Sequence, residues 1–387
     1  MVLHQFRNVR FLGQAIRCSS KVNISSKNWT ILPTIVTTSA ATIATSAATI
    51  ATGAMMMLLF VGGTTVTALE EDNNNNNNNN NDSNNRSQNL RTNSFPLVEH
   101  NHGKSKVRVL KVHRTEEKHN VYEYTVATKL FFEGYSKVFT DNDNSNLVAT
   151  DTQRNTVYVV AKRTKADSPE QFAIDISQHF LNQYPMLEAA QVEVNQVLWQ
   201  REGQHHHGFL KHSPEIASAT VRLERGGKPH ITSEILGMTL LKTTMSGFEN
   251  YLMDEYTLLP PTQERCLSTE LNATWNISNH TPTHEFNILR QKVRDQLIQG
   301  LLGPPEKGVY SISLQATIYD AACLVLTKCP QVESIAINTP NKHYIPFHSL
   351  KQLGETFEND IFIPTDEPSG SIYCKVVRET VTTETKV

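Results

Sequence analysis

From residue 106 onward the apolar and polar positions fall into two recurring patterns. KVRVLKVHR and NVYEYTVATKLFF alternate over most of their length, the period of a half-buried strand, and the charged turn TEEKH between them predicts a hairpin. NTVYVVAKR, rich in β-branched residues, reads as an extension of the second strand. The period then changes. Ser168-Pro169-Glu170 is a helix start, with Ser as the cap and Pro at the first helical position, and PEQFAIDISQHFLNQY puts Phe172, Ile176 and Phe180 on one stripe. AAQVEVNQVLW and ASATVRLER return to strand periodicity, closed by Gly226-Gly227. The first unit therefore reads strand-strand-helix-strand-strand. A second unit follows with similar grammar. HITSEILGMTLLKTT is a long strand, and HEFNILRQKVRDQLIQGLL is a helix with Phe286, Leu289, Val293 and Leu297 on one face. VYSISLQ reads as a strand, TIYDAACLVLTKC as a helix, and VESIAINT and SIYCKVVRE as closing strands. The fold class predicted is α+β, antiparallel sheets with helices on one face, in two similar halves spanning 98–228 and 229–387.

The start of the chain has a different composition. Residues 1–69 hold no Asp or Glu, while Arg7, Arg10, Arg17, Lys21 and Lys27 lie among serines, which resembles an organelle transit peptide. Within them, 31–69 is uncharged and longer than the roughly 20 residues a bilayer span needs. Its SAATIATSAATIATGA repeat is only mildly apolar and AMMMLLFVGG alone is strongly so, which favours low-complexity drift over a membrane span without closing the second reading. The Asn run at 73–81 buries no apolar surface, so 70–97 is expected to be a disordered linker.

Bulk properties narrow the function classes. A chain of 387 residues has room for about two domains. A net charge of -2 gives no nucleic-acid-binding surface. Cys18, Cys266, Cys323, Cys329 and Cys374 are odd in number and form no C-x-x-C, as in a reduced intracellular protein without a zinc ribbon or disulfide framework. QHHHGFLKH offers His205, His206, His207 and His212, and imidazole suits Cu or Zn. Consecutive residues of a strand point to opposite sides, however, and no functional metal is expected there. The Asn-x-Ser/Thr sequons at Asn272 and Asn276 lack a clear secretory signal beside them and are read as accidental.

One connection is longer and more polar than a hairpin requires. Between the second strand and NTVYVVAKR lie Asn144, Ser145, Asn146, Thr150, Asp151, Thr152 and Asn155, where a tight hairpin would use about two to five residues. Taken alone, Thr150-Asp151 fits an Asx or ST turn. Taken with GKSKVRVLKVHR, VATDTQRNTVYVVAK, SGFENYLMDEYTLL, ERCLSTELNATW, SLQATIYDAA and TPNKHYIPF in that order, the stretch resembles the urate oxidase (uricase) family over 104–375. That resemblance implies two tandem tunnelling-fold (T-fold) domains per chain and a homotetramer. Sheets of different subunits would close into barrels, with active sites at the subunit interfaces. It also implies oxidation of urate by O₂ and water to 5-hydroxyisourate and hydrogen peroxide, without metal or organic cofactor, and it makes Thr150 and Asp151 contributions to a neighbour's pocket.

The same resemblance assigns roles that suit the residue types. Arg265 would grip the anionic ring with a planar donor fork. Gln315, at the end of VYSISLQ, would supply an acceptor and donors, and Phe248 would stack on the ring. Leu314 stands where the family usually has valine, and the contact expected there is through its backbone N–H. Lys104 would be the base, provided its pKa falls toward neutrality. Thr150 would relay the proton and His343 complete the relay. Asn341, with Thr150, would hold O₂ and later a water. Singly, these residues also fit bland roles: a solvated Lys, a surface Arg, a strand-end Gln, a core Phe and a turn Asn. Another T-fold enzyme acting on a purine or pterin ring would need zinc ligands or a reactive cysteine. An inactive scaffold would not need this residue set. The expected compartment is the peroxisome, although the chain ends TTETKV rather than Ser-Lys-Leu; the mitochondrion is the alternative, through the N-terminal arm.

Overall fold

The computed structural model describes residues 95–211 and 213–379. The segments behind the targeting, membrane-span and linker expectations, up to residue 94, lie outside the described residues, as does His212. The elements run β1 His102–Arg114, β2 His119–Phe131, α1 Ser136–Thr140, α2 Thr150–Arg163, α3 Pro169–Gln183, β3 Ala189–Val197, β4 Gln200–Arg201, β5 Phe209–Leu210 and β6 Ile216–Glu224. They continue with β7 His230–Lys242, β8 Leu267–Ile277, α4 Phe286–Leu302, α5 Leu314–Lys328, β9 Val332–Pro346 and β10 Phe362–Val377. Eight strands form one antiparallel sheet in the order β1-β2-β3-β6-β7-β8-β9-β10, and β4 and β5 make a separate short hairpin. Setting aside α1 and that hairpin, each half reads strand-strand-helix-helix-strand-strand.

The helices lie on one face. α2 packs on β1, α3 on β3 and β6, and α5 on β9 and β10. Phe172, Ile176 and Phe180 are fully buried, as the stripe predicts, in one core with Ala190, Val192, Val194 and Val221 of β3 and β6. Ser168 caps α3 by accepting the Gln171 N–H at 3.2 Å, with Pro169 beside it. The other face of the sheet carries polar side chains, among them Gln191, Glu193 and Asn195 on β3 and Glu270, Asn272 and Thr274 on β8. Among the described residues no helix is long and apolar enough to cross a membrane.

Three local expectations are overturned. NTVYVVAKR is not a strand but most of α2. Gln153, Thr156, Val157, Val160 and Ala161 are buried at helical spacing while Tyr158 and Val159 face outward, so packing of one face overrides the β-branched bias. The first half thus has two main helices where one is expected. VYSISLQ is likewise not a strand. Ser313 is an extended cap whose Oγ accepts the Ala316 N–H at 3.1 Å, and α5 starts at Leu314, which places Gln315 in its first turn. Finally, β8 is not among the expected strands. Its buried positions Leu271, Ala273, Trp275 and Ile277 do alternate, but they include a small Ala and are separated by Asn, Thr and Asn.

A buried ion pair ties the two halves together. Glu170, at the start of α3, accepts from Ser233 Oγ of β7 at 2.6 Å and from the Arg290 guanidinium of α4. Both charged side chains are at least nine-tenths buried. Arg290→Met is expected to cost about 3–5 kcal/mol, because it strands a carboxylate in the core, and adding Glu170→Leu should recover much of that loss. Denaturant unfolding of the single and double variants checks both.

Candidate active site

The residues assigned by resemblance fall into two groups. The first lies where β1 begins and α2 starts. Lys104 pairs with Thr128 of β2, and the register slips between Lys104 and Val107, with Lys106 at φ +57°. Gly103 precedes it; a Cβ there would lie 2.0 Å from the Thr128 carbonyl oxygen, so only glycine fits this close approach. A buried polar chain links this strand to the start of α2. Thr128 Oγ1 donates to Gln153 Oε1 at 2.7 Å, and Gln153 Nε2 donates to the Val148 carbonyl at 3.1 Å. The Lys104 N–H reaches Thr128 Oγ1 at 3.3 Å, and His102 Nε2 lies 2.7 Å from the same Val148 carbonyl. The half-buried Lys104 and the first helical residue, Thr150, are thereby fixed relative to each other.

Asp151 is exposed, and its helix occupies its carboxylate. Arg154 lies 2.6 Å from Oδ1, and Asn155 Nδ2 donates to Oδ2 at 2.8 Å. A negative charge in the first turn also complements the helix dipole.

The second group surrounds the start of α5. The Arg265 guanidinium carbon stands 5.3 Å from the centre of the Phe248 ring, which stacks on Tyr251 at 4.7 Å. The Phe248 N–H donates to the Thr262 carbonyl at 2.7 Å, with the reciprocal bond at 3.0 Å. Arg265 is anchored through its N–H to the Ser246 carbonyl at 2.9 Å and through Nε to Ser246 Oγ at 3.3 Å. No carboxylate among the described residues pairs with it. Burial lowers the pKa of this guanidinium below its ordinary value, with Tyr310 opposing the shift. Leu314 and Gln315 open α5; the cap takes the N–H of Ala316, and helix geometry leaves those of the first two residues without intrahelical partners.

Asn341 and His343 lie on β9. Asn341 is paired with Thr269 of β8 and Gly370 of β10, beside a register slip in β10. Its side-chain Oδ1 is buried with no hydrogen-bond partner among the described residues. His343 pairs with Thr365 across the same slip.

No hydrogen bond, ion pair or ring contact among the described residues joins the two groups. Lys104 sits on the first strand of the sheet and Asn341 on the seventh. Six strand spacings of about 4.8 Å separate them by roughly 29 Å along the sheet. Ser246, Tyr251, Thr128 and Gln153 were not singled out from sequence. Ser246 and Tyr251 lie within SGFENYLMDEYTLL, but nothing in the chain order marks Thr128 as the partner of Gln153.

The histidine run lies elsewhere. His206 and His207 crowd His119 at ring separations of 4.9 and 6.0 Å, and Arg201 Nη1 donates to the backbone carbonyls of His205 and His206. Among the described residues no three His, Cys, Asp or Glu side chains are placed to share a metal ion.

Comparison with known proteins gives a consistent answer. The family model described as Uricase matches residues 100–223 and 231–373. The chain belongs to the uricase family. It is 40% identical over 299 residues to a uricase of Arabidopsis thaliana, covering 73% of this chain and 96% of that protein. Uricase-2 isozyme 1 of Glycine max is 38% identical over 295 residues, covering 72% and 94%. The crystal structure of uricase from Arthrobacter globiformis superposes with a TM-score of 0.68 at 29% identity, over 74% of this chain and 96% of that one. The second uricase segment begins at residue 231, within β7 and just after the Gly226-Gly227 turn.

The buried polar chain behind Lys104 predicts a non-additive stability effect. Gln153→Leu leaves the Thr128 hydroxyl without its acceptor and should cost about 1–3 kcal/mol, whereas adding Thr128→Val should return part of that loss, since removing both partners avoids a buried unpaired group. Thermal or denaturant unfolding of the three variants measures it.

Proposed function

We propose that this chain oxidises urate with O₂ and water, giving 5-hydroxyisourate and hydrogen peroxide, in a site shared between subunits of a homotetramer. Membership of the uricase family supports the reaction. The observation that carries the assignment of the pocket is Arg265: a half-buried guanidinium over an aromatic ring, with no carboxylate partner among the described residues. Such a cation suits a flat anion that brings acceptors in its plane and a face to stack. In this reading Arg265 and Gln315 hold the edge of urate, Phe248 lies under the ring, and the Leu314 N–H donates from the first turn of α5. Asn341 offers its amide N–H to O₂, and its oxygen, without a partner among the described residues, can accept from the water that follows.

The chemistry needs a base, because urate becomes electron-rich enough to reduce O₂ only after losing a further proton. Lys104 takes that role, with the Thr150 hydroxyl able to accept and donate in turn and His343 completing the relay. The water oxygen ends on the purine and the O₂ leaves as peroxide, so no electron acceptor besides O₂ is required and no metal or organic cofactor is assigned. Loss of urate's ultraviolet absorbance with O₂ uptake, by chelator-treated protein without additions, tests the reaction itself.

The separation of the two groups along the sheet supports their meeting across an interface, with Lys104, Thr150 and Asp151 of one subunit facing Arg265, Asn341 and His343 of another. Co-expressing Thr150→Ala and Arg265→Ala chains is expected to restore sites that are intact at both positions, above the activity of either parent. Mixtures no more active than the parents would refute a shared site. Lys104→Met keeps the length and packing of the stem while removing the amine. Its turnover should fall by about 10²–10⁴-fold with urate affinity largely kept, measured as kcat against KM.

A further inference from the structure

Lys242 is the last residue of β7. Its ammonium donates to the Leu301 carbonyl at 3.2 Å, to the Val309 carbonyl and to Ser311 Oγ at 2.9 Å. These three acceptors use all three N–H groups of the amine, and they come from the end of α4 and from the loop that leads into α5. No carboxylate pairs with Lys242 among the described residues. Burial pulls its pKa below the ordinary lysine value. A half-buried cation neutralised by no acid is an uneconomical way to fasten a loop, so the segments it joins matter.

One of them, the loop into α5, adjoins both arms of the candidate anion clamp, which are Arg265 and the first turn of α5. The Ser311 N–H donates to the Met245 carbonyl, and the Gly247 N–H donates to the Ser311 carbonyl, both at 2.9 Å. This stitches the loop alongside Ser246. Ser246 in turn holds Arg265 through both its carbonyl and its hydroxyl. Gly247 adjoins Phe248, and a Cβ on Gly247 would meet the Tyr310 hydroxyl at 2.1 Å, so the two segments are in tight contact. In the other direction, Ser311 lies two residues before the Ser313 cap and hence three and four before Leu314 and Gln315. Through Ser311, the Lys242 ammonium sits at the junction from which both arms extend, while touching neither.

We propose that Lys242 is a positioning residue that sets the spacing between Arg265 and the first turn of α5, and so determines affinity for the planar anionic purine without taking part in proton transfer. The inference rests on the reading of Arg265 and Gln315 as the clamp. Among the described residues the Lys242 ammonium bonds only to Leu301, Val309 and Ser311 and to none of Lys104, Thr150 and His343, so its loss acts on the clamp rather than on the proton relay.

The experiment uses full-length Lys242→Met, Lys242→Arg, Ser311→Ala and Arg265→Lys, with urate kinetics, equilibrium binding of xanthine as a planar purine probe, and Tm. Loosening groups that bind substrate and transition state alike raises KM and leaves kcat unchanged. Lys242→Met is therefore expected to raise both KM for urate and Kd for xanthine by about 10-fold or more, as weakening of a charge-assisted contact would, with kcat within about threefold of the native value. Lys242→Arg, which still donates to carbonyls, should recover part of the affinity. Ser311→Ala keeps the ammonium and its other two bonds, so it reports on the same junction if Lys242→Met does not fold, and it should raise KM by a few-fold. A lowered Tm with unchanged KM and Kd would make Lys242 merely structural and overturn the inference, as would a fall in kcat at constant KM. If Arg265→Lys weakens xanthine binding and Lys242→Met does not, the positioning role alone is lost. Xanthine binding unchanged in Arg265→Lys overturns the clamp and the inference with it.

Discussion

An antiparallel sheet eight strands wide has two edges, and in this chain the residues assigned to one reaction lie toward opposite edges. β1 carries Lys104 at the first edge; β9, beside the edge strand β10, carries Asn341 and His343. Backbone pairing imposes the distance, since each added strand moves its side chains by one strand spacing. Among the described residues no further strand pairs with the outer edge of β1 or of β10, and such an edge can pair with another chain. A sheet of this kind with helices on a single face has a polar second face as well, here lined by residues such as Glu193, Asn195, Glu270 and Asn272. Edges unpaired among the described residues and a hydrophilic second face together suit closure by further copies, in accord with the proposed shared site.

Within each group, position is secured by buried polar chemistry. Lys104 is set against α2 by a hydroxyl, an amide and a carbonyl that satisfy one another in the core. Arg265 is set against α5 by Ser246, Ser311 and the ammonium of Lys242. Such networks tolerate few arrangements, because any lost partner leaves a desolvated group unpaired. That intolerance suits a pocket whose ligand is rigid and flat.

Motif order identified the family without coordinates, and helical periodicity marked the core positions Phe172, Ile176, Phe180, Phe286, Leu289, Val293 and Leu297. The stripe Phe172, Ile176, Phe180 and the cap Ser168-Pro169 are local facts, and both hold. The errors have a common origin. NTVYVVAKR and VYSISLQ are rich in β-branched or aromatic residues, and their intrinsic preference favours extended chain. What decides between strand and helix for such a segment is which neighbours bury which side chains. For α2 the answer is a helical face holding Gln153, Thr156, Val157, Val160 and Ala161 against the sheet.

The sequence by itself determined the α+β class and, through its motifs, membership of the uricase family. Those depend on periodicity and motif order, which are written along the chain. Only the tertiary structure decided that Thr150 and Gln315 each stand in the first turn of a helix, that Thr128 partners Gln153, and that Lys242 meets Ser311. Those are contacts between residues as much as 69 positions apart, and they are set by sheet register and helix packing, which no local pattern encodes.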